Sequence, residues 1–180
     1  MGTIAFLHEY AKWDAAVPES LLMNPQEKAS RYDEVRKEIA SVIAGESSRT
    51  ARLATAACLL AQAFGPRFFW TGFYEVDPGK PDELVVGPYQ GTLGCLRIPF
   101  GKGVCGAAAA SRQTQLVEDV HAFPGHIACD SRSNSEIVVP VFGADGQLAA
   151  VLDVDSTEYA AFDETDRAGL EAICAELLKN

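Results

Sequence analysis

The sequence predicts an α+β fold: a central antiparallel sheet with the N- and C-terminal helices packed on one face. Three observations carry this expectation. Helical periodicity fills the early part of the chain after its opening residues and returns at the C-terminus. The middle is built of short β-rich runs bounded by Gly, Pro and Asp. Hairpin-length links join those runs, and hairpins make antiparallel neighbours where parallel ones need crossover helices.

Residues 1–25 show no clear period and read as an N-terminal extension, either an arm or a short helix. From Ser30 onward, Tyr32, Val35, Ile39, Val42 and Ile43 fall on one helical face, with Gly45 as the stop. A second helix is predicted over 48–64, with Leu53, Ala57, Leu60 and Phe64 inward, and Gly65-Pro66 ends it. Residues 68–75 read as a strand, rich in aromatics at period two. A loop over 77–82 follows, then a strand over 84–86. The stretch 87–106 is dense in glycine and reads mostly as loop. A short helix over 104–111 and a short strand over 114–117 come next. Residues 118–134 are irregular, and a loop of that length in a compact domain is usually functional or mobile. Residues 135–142 and 147–155 form a hairpin around Gly143-Ala144-Asp145-Gly146. Asp163 caps a last helix with the stripe Leu170, Ile173, Cys174 and Leu177.

Composition narrows the function classes. A chain of 180 residues suits one domain with a substantial core, and 48% hydrophobic residues argue against disorder for most of it. A formal charge of −10 disfavours binding to nucleic acid or to anionic membranes. No apolar run is long enough to span a bilayer, and the opening residues lack a secretory pattern. Five cysteines cannot all pair, so a secreted disulfide framework does not fit. The expected location is the reducing cytoplasm, where a disulfide would be transient and catalytic.

The cysteines divide into two sets. Cys174 lies on the apolar stripe of the last helix and Cys58 among alanines and leucines in the second, and both read as inert core residues. Cys95, Cys105 and Cys129 lie among glycines and polar loop residues, where thiol chemistry competes with a structural role. Three carboxylates, Glu136, Asp153 and Asp155, follow within apolar β-like runs. Strand alternation puts Asp153 and Asp155 on one face. A two- or four-residue loop would place Glu136 opposite one of them on that same face, whereas a three-residue loop would reverse it. Like charges opposed across strands are destabilising, so such a face needs a cation, a bound ligand or a shared proton, unless it is simply solvated. Loop thiols beside buried acids suggest thiol redox chemistry with acid assistance.

Other motifs carry less. His121, His126 and Cys129 lack zinc-like spacing and a fourth ligand, so no metal is expected, and the histidines read as loop-packing residues. Gly101, Gly103 and Gly106 spell a dinucleotide fingerprint, but the helix that follows is too short for the crossover. A tight turn feeding a short helix is the simpler reading, and no cofactor is expected. Trp70 and Tyr74 share a strand face with Phe68; they are either core or the wall of a pocket for a small apolar group.

Several segments together resemble the free methionine-(R)-sulfoxide reductases, a catalytic branch of the GAF domain family. They include Trp70-Thr71-Gly72-Phe73-Tyr74, Gly87-Pro88-Tyr89-Gln90-Gly91, Cys95-Leu96-Arg97-Ile98-Pro99 and Gly101-Lys102-Gly103-Val104-Cys105-Gly106. Gly125-His126-Ile127-Ala128-Cys129-Asp130 and Ser133-Asn134-Ser135-Glu136-Ile137-Val138 are the strongest, and Val151-Leu152-Asp153-Val154-Asp155-Ser156 completes the set. The C-x9-C-x23-C spacing is also the family's, and a generic GAF domain lacks it. The resemblance runs from about Ser30 to the C-terminus and implies a GAF-like fold over 26–180.

It also implies roles: Cys129 as nucleophile, Cys95 as resolving cysteine, and Cys105 as an auxiliary thiol able to join disulfide exchange. Glu136, Asp153 and Asp155 would hold the substrate, with Trp70 and Tyr74 around its methyl group. Free methionine sulfoxide would be the substrate and thioredoxin the reductant, and a homodimer is left open. The chemistry suits the residues, since the sulfoxide oxygen needs a proton that an acid of raised pKa supplies. The alternatives are a noncatalytic GAF sensor for a small ligand and a redox regulator using the same thiols without turnover.

Overall fold

The computed structural model describes residues 23–179. The proposed extension over 1–25 lies almost wholly outside them. The chain begins with α1 (Pro25–Val42) and α2 (Arg49–Phe64). Three strands follow, β1 (Trp70–Asp77), β2 (Lys80–Gln90) and β3 (Arg97–Pro99). Then come α3 (Gly103–Ser111), β4 (Gln115–Val117), β5 (Ser135–Phe142), β6 (Leu148–Ser156) and α4 (Glu164–Leu177). The strands form one antiparallel sheet in the order β3-β2-β1-β6-β5-β4.

Strand alternation divides the core in two. On one face Phe73, Ile137, Val139, Leu152 and Val154 meet the apolar stripes of α1, α2 and α4. On the other, Trp70, Tyr74, Val138 and Val151 meet Val104, Ala108 and Ala109 of α3. The terminal helices therefore share one face, as predicted, and among the α-helices of the described residues α3 alone occupies the opposite one.

Several details differ from the sequence reading. Helix α1 starts at Pro25 rather than Ser30. Asn24 accepts from the Gln26 and Glu27 backbone, Glu27 reaches back to Asn24 N, and Pro25 takes the first turn. That capping box precedes the apolar stripe, so periodicity alone misses it. The loop over 77–82 is a tight turn, with Asp77 pairing directly with Lys80. Strand β2 continues through Gly87 and Pro88, where the glycine-rich sequence predicts loop. Strand β3 pairs only with Glu83, Leu84 and Val85, so Pro88 sits beyond it on a free edge that needs no N–H donor. Gly72 faces Tyr89 across β1 and β2 so closely that a Cβ there would lie 2.2 Å from the Tyr89 Cβ. Phe68 precedes β1 and packs with Phe64 on the helical side, ring centroids 4.6 Å apart, rather than with Trp70 and Tyr74.

An ion cluster fastens α1 to α4. Asp166 is fully buried and accepts from Lys28 Nζ, from Arg67 Nη2 and from the Tyr32 hydroxyl, each at 2.9 Å. Asp166→Ala would leave the buried Lys28 ammonium without its inner partner. The expected cost is about 3–5 kcal/mol, read as a fall in the urea midpoint at unchanged m-value. An unchanged midpoint would show that Asp163, 2.7 Å from Lys28, suffices alone.

Candidate active site

The acid face is set by the β5–β6 register. Glu136 pairs with Asp155 and Val138 with Asp153, so Glu136, Asp153 and Asp155 share the α3 side of the sheet. The sequence reading expected this face, but by a different loop. Phe142 pairs with Leu148 across five intervening residues, a register that would put Glu136 on the wrong side. A bulge opposite Val141 and Phe142 inserts one extra residue, Ala149, and restores the alternation.

Cys105 arrives from above. Gly101 and Gly103 both have positive φ, at 75° and 60°, and turn the chain into α3. A Cβ on Gly106 would lie 2.4 Å from the Pro99 carbonyl oxygen, so this glycine lets the helix settle against β3. The glycine fingerprint is thus a turn with close packing. It delivers the Cys105 thiol to Glu136, with Sγ donating to Oε1 at 3.7 Å. Cys105, Glu136 and Asp153 are all buried and can bring one polar atom each to within 4.8 Å of the others. One Asp153 oxygen, Oδ1, has no hydrogen-bond partner among the described residues.

Cys129 comes from the long irregular stretch and is bonded to Cys95. The residue is exposed, whereas Cys95 is half-buried. Cys129 borders a cavity of about 30 Å³ whose walls include Cys105, Glu136, Asp153 and Asp155. The structure therefore brings all three acids and all three loop thiols to one place, Cys95 through its bond to Cys129. Trp70 and Tyr74 are buried and stacked, centroids 5.6 Å apart, and Tyr89 also stacks on Trp70 at 5.2 Å. They do not border this cavity. Residues of the Cys95 loop lie on them instead, since a Cβ on Gly94 would come within 2.9 Å of the Tyr74 hydroxyl.

Burial dominates the electrostatics. Desolvation, then Asp153 and Asp155, push the Glu136 pKa well above the usual carboxylate range. Desolvation raises Asp153 to about 6 and Asp155 well above its ordinary value. Burial, with Asp153 and Glu136 beside it, likewise drives the Cys105 thiol upward. Cys105 is thus a neutral donor at neutral pH, while the cluster holds protons that it can release.

The histidines divide. His126 borders the same cavity as Cys129. His121 lies away from it, with Nε2 3.0 Å from Asn134 Oδ1 and its ring edge-on to that of His126, centroids 6.1 Å apart. Among the described residues, His121, His126 and Cys129 do not form a group that could ligate one ion. Cys174 is core, but Cys58 is half-buried and accepts from Gln62 Nε2 at 3.4 Å. Sequence reasoning missed Thr92, Asp130 and Ser133. Thr92 Oγ1 bonds Asp130 across the disulfide loops, and Ser133 supplies a hydrogen bond that partly offsets the rise at Asp155. Asp130 did carry a local signal, the Asp-x-Arg turn in which its side chain accepts from Arg132 N.

Comparison with known proteins identifies the family. The GAF domain profile covers residues 47–177. An Escherichia coli (strain K12) free methionine-R-sulfoxide reductase is 44% identical, over 84% of this chain and 89% of the relative. The structure of a Neisseria meningitidis free methionine-R-sulfoxide reductase in complex with its substrate is similar at TM-score 0.78 and 52% identity, covering 84% of this chain and 88% of that one. A Burkholderia vietnamiensis protein described as a putative GAF sensor gives TM-score 0.78 and 49% identity, over 84% and 95% of the two chains. The chain belongs to the free methionine-(R)-sulfoxide reductase family of GAF domains.

Proposed function

We propose that this protein reduces free L-methionine-(R)-sulfoxide to methionine, with Cys129 as nucleophile and Cys95 as resolving thiol. The observation that carries the reading is the Cys95–Cys129 disulfide at the mouth of a cavity walled by three acids. With the bridge open, the Cys129 thiolate attacks the sulfoxide sulfur while a buried acid protonates its oxygen. The oxygen passes to Cys129 as a sulfenic acid and methionine leaves. The Cys95 thiol then condenses with the sulfenic acid, releasing water and closing the disulfide, and an external dithiol such as thioredoxin reopens it. The remaining carboxylates receive the ammonium group of the free amino acid, the charge this cluster lacks. Cys105, a hydrogen-bond donor to Glu136, holds that carboxyl in place and is an auxiliary thiol for exchange.

Cavity size orders the steps. A space of about 30 Å³ holds water, not an amino acid. The disulfide form therefore corresponds to the state after turnover, and substrate enters once the disulfide is open. Calorimetric titration of free methionine into the disulfide form should give no binding heat, while the dithiothreitol-reduced form should bind; equal binding to both would sink this order. The reaction itself is tested by NADPH consumption with thioredoxin, its reductase and the free (R)-sulfoxide. Absence of turnover by reduced protein would favour a sensor, the reading given to the Burkholderia protein.

A further inference from the structure

The loops that carry Cys95 and Cys129 are tied by more than their disulfide. Thr92 Oγ1 donates to Asp130 Oδ2 at 2.7 Å. Thr92 lies three residues before Cys95, and Asp130 directly follows Cys129. Each loop is also fastened to the root of β1. Trp70 Nε1 donates to the Thr92 carbonyl at 3.0 Å. On the other side, Arg132 donates to Asp130 through its backbone N and Nε to Oδ1, at 3.0 and 3.1 Å, and through Nη2 to Oδ2 at 2.9 Å. The Arg132 guanidinium lies over the Phe69 ring, 4.6 Å from its centre. Trp70 and Phe69 are adjacent and buried, so both loops hang from one rigid point.

We propose that the Thr92–Asp130 hydrogen bond is a positioning contact that keeps the two cysteine loops in register while the disulfide is open, and so sets how readily their sulfurs pair. The disulfide holds its Cα atoms 5.1 Å apart. Once it is reduced, only non-covalent contacts can keep the thiols at a high effective concentration. Arg132 holds the Asp130 carboxyl well below the usual carboxylate range, so the acceptor stays charged at neutral pH and the bond to Thr92 is charge-assisted. The disulfide and the hydrogen bond join the same two loops, so each strengthens the other: the contact is tighter with the bridge closed, and forming it brings the open thiols together. It favours closure whether Cys95 condenses with a Cys129 sulfenic acid, releasing water, or both thiols pass two electrons and two protons to a disulfide oxidant.

The test needs only the disulfide, so it stands apart from the proposed reaction, although the contact's part in turnover rests on that reading. The protein is equilibrated in glutathione redox buffers of known ratio. The fraction carrying the Cys95–Cys129 bond is then read by alkylation and mass spectrometry. Thr92→Val is expected to lower the equilibrium constant for closure about tenfold, a shift of about 30 mV toward a less negative potential. Thr92→Ser, which keeps the hydroxyl, should restore the wild-type value. Asp130→Asn, which keeps an acceptor but drops its charge, should shift the constant in the same direction as Thr92→Val. A wild-type constant in both Thr92→Val and Asp130→Asn would overturn the proposal, as would a Thr92→Ser protein as impaired as Thr92→Val. Failure of sulfoxide turnover with dithiothreitol would count against the proposed reaction and leave these redox constants as they stand.

Discussion

Cys129→Ser should lose methionine formation altogether, by at least about four orders of magnitude, in both single and multiple turnover. Serine keeps the size of the side chain but cannot supply a thiolate or carry the sulfoxide oxygen as a sulfenic acid. The second cysteine makes the expectation sharper. Cys95→Ser should still release about one methionine per chain, because attack on the sulfoxide precedes any use of Cys95. It should then stall in thioredoxin-driven cycling, with the oxidised sulfur on Cys129 open to trapping by a sulfenic-acid reagent. Cys105 borders the same cavity, and its buried, neutral thiol makes it a poor substitute for Cys95. Two experiments check the pair: quenched single turnover with chromatographic detection of methionine, and NADPH-coupled assay. Full cycling by Cys129→Ser would remove the nucleophile assignment. A Cys95→Ser protein that cycles at the wild-type rate would move resolution to Cys105.

What was legible in the sequence follows the reach of each signal. The last helix, with its Asp163 cap and the stripe Leu170, Ile173, Cys174 and Leu177, is local and periodic, and it was read as it stands. Alternation predicts the acid face correctly, but through a two- or four-residue loop that the hairpin does not have. The bulge at Ala149 cancels that error, and a bulge has no signature in residue pattern. Strand β3 was invisible because three residues, Arg97–Pro99, are too few to show a period. Gly87 and Pro88 look like loop residues until an edge without a partner strand gives them a place. The ion cluster around Asp166 joins residues more than 130 positions apart, Lys28 and Asp166 among them, and no window contains both. The Thr92–Asp130 contact was hidden in the same way, its partners 38 positions apart. Cys58 shows the opposite failure, since alanine and leucine neighbours predict core while the helix turns that position partly outward.

Glu136→Gln separates catalytic need from structural need, because the two should move in opposite directions. Gln preserves shape and can still accept from Cys105, but it holds no transferable proton and no charge. If Glu136 gives its proton to the leaving oxygen, the methionine-forming step should slow by about 10²- to 10⁴-fold. Stability should respond otherwise. Glu136 is buried at 6% exposure beside Asp153 at 5%, with Asp155 paired across the strands, and its pKa is raised by burial and by both neighbours. The folded chain therefore binds this proton more tightly than the unfolded chain, whose glutamate titrates near about 4.3. Between the two pKa values the folded state carries more protons, so this residue's contribution to stability declines as pH rises from the unfolded value toward the folded one. Gln removes that decline. The variant should match or exceed the wild-type melting temperature, with a margin that widens from pH 5 to pH 8. A glutamate kept only for packing would show no loss of rate, whereas one kept for a structural ion contact would show a lower melting temperature. A slow but stabilised Glu136→Gln protein is the outcome in which the acid cluster persists at a cost to the fold because the reaction requires it.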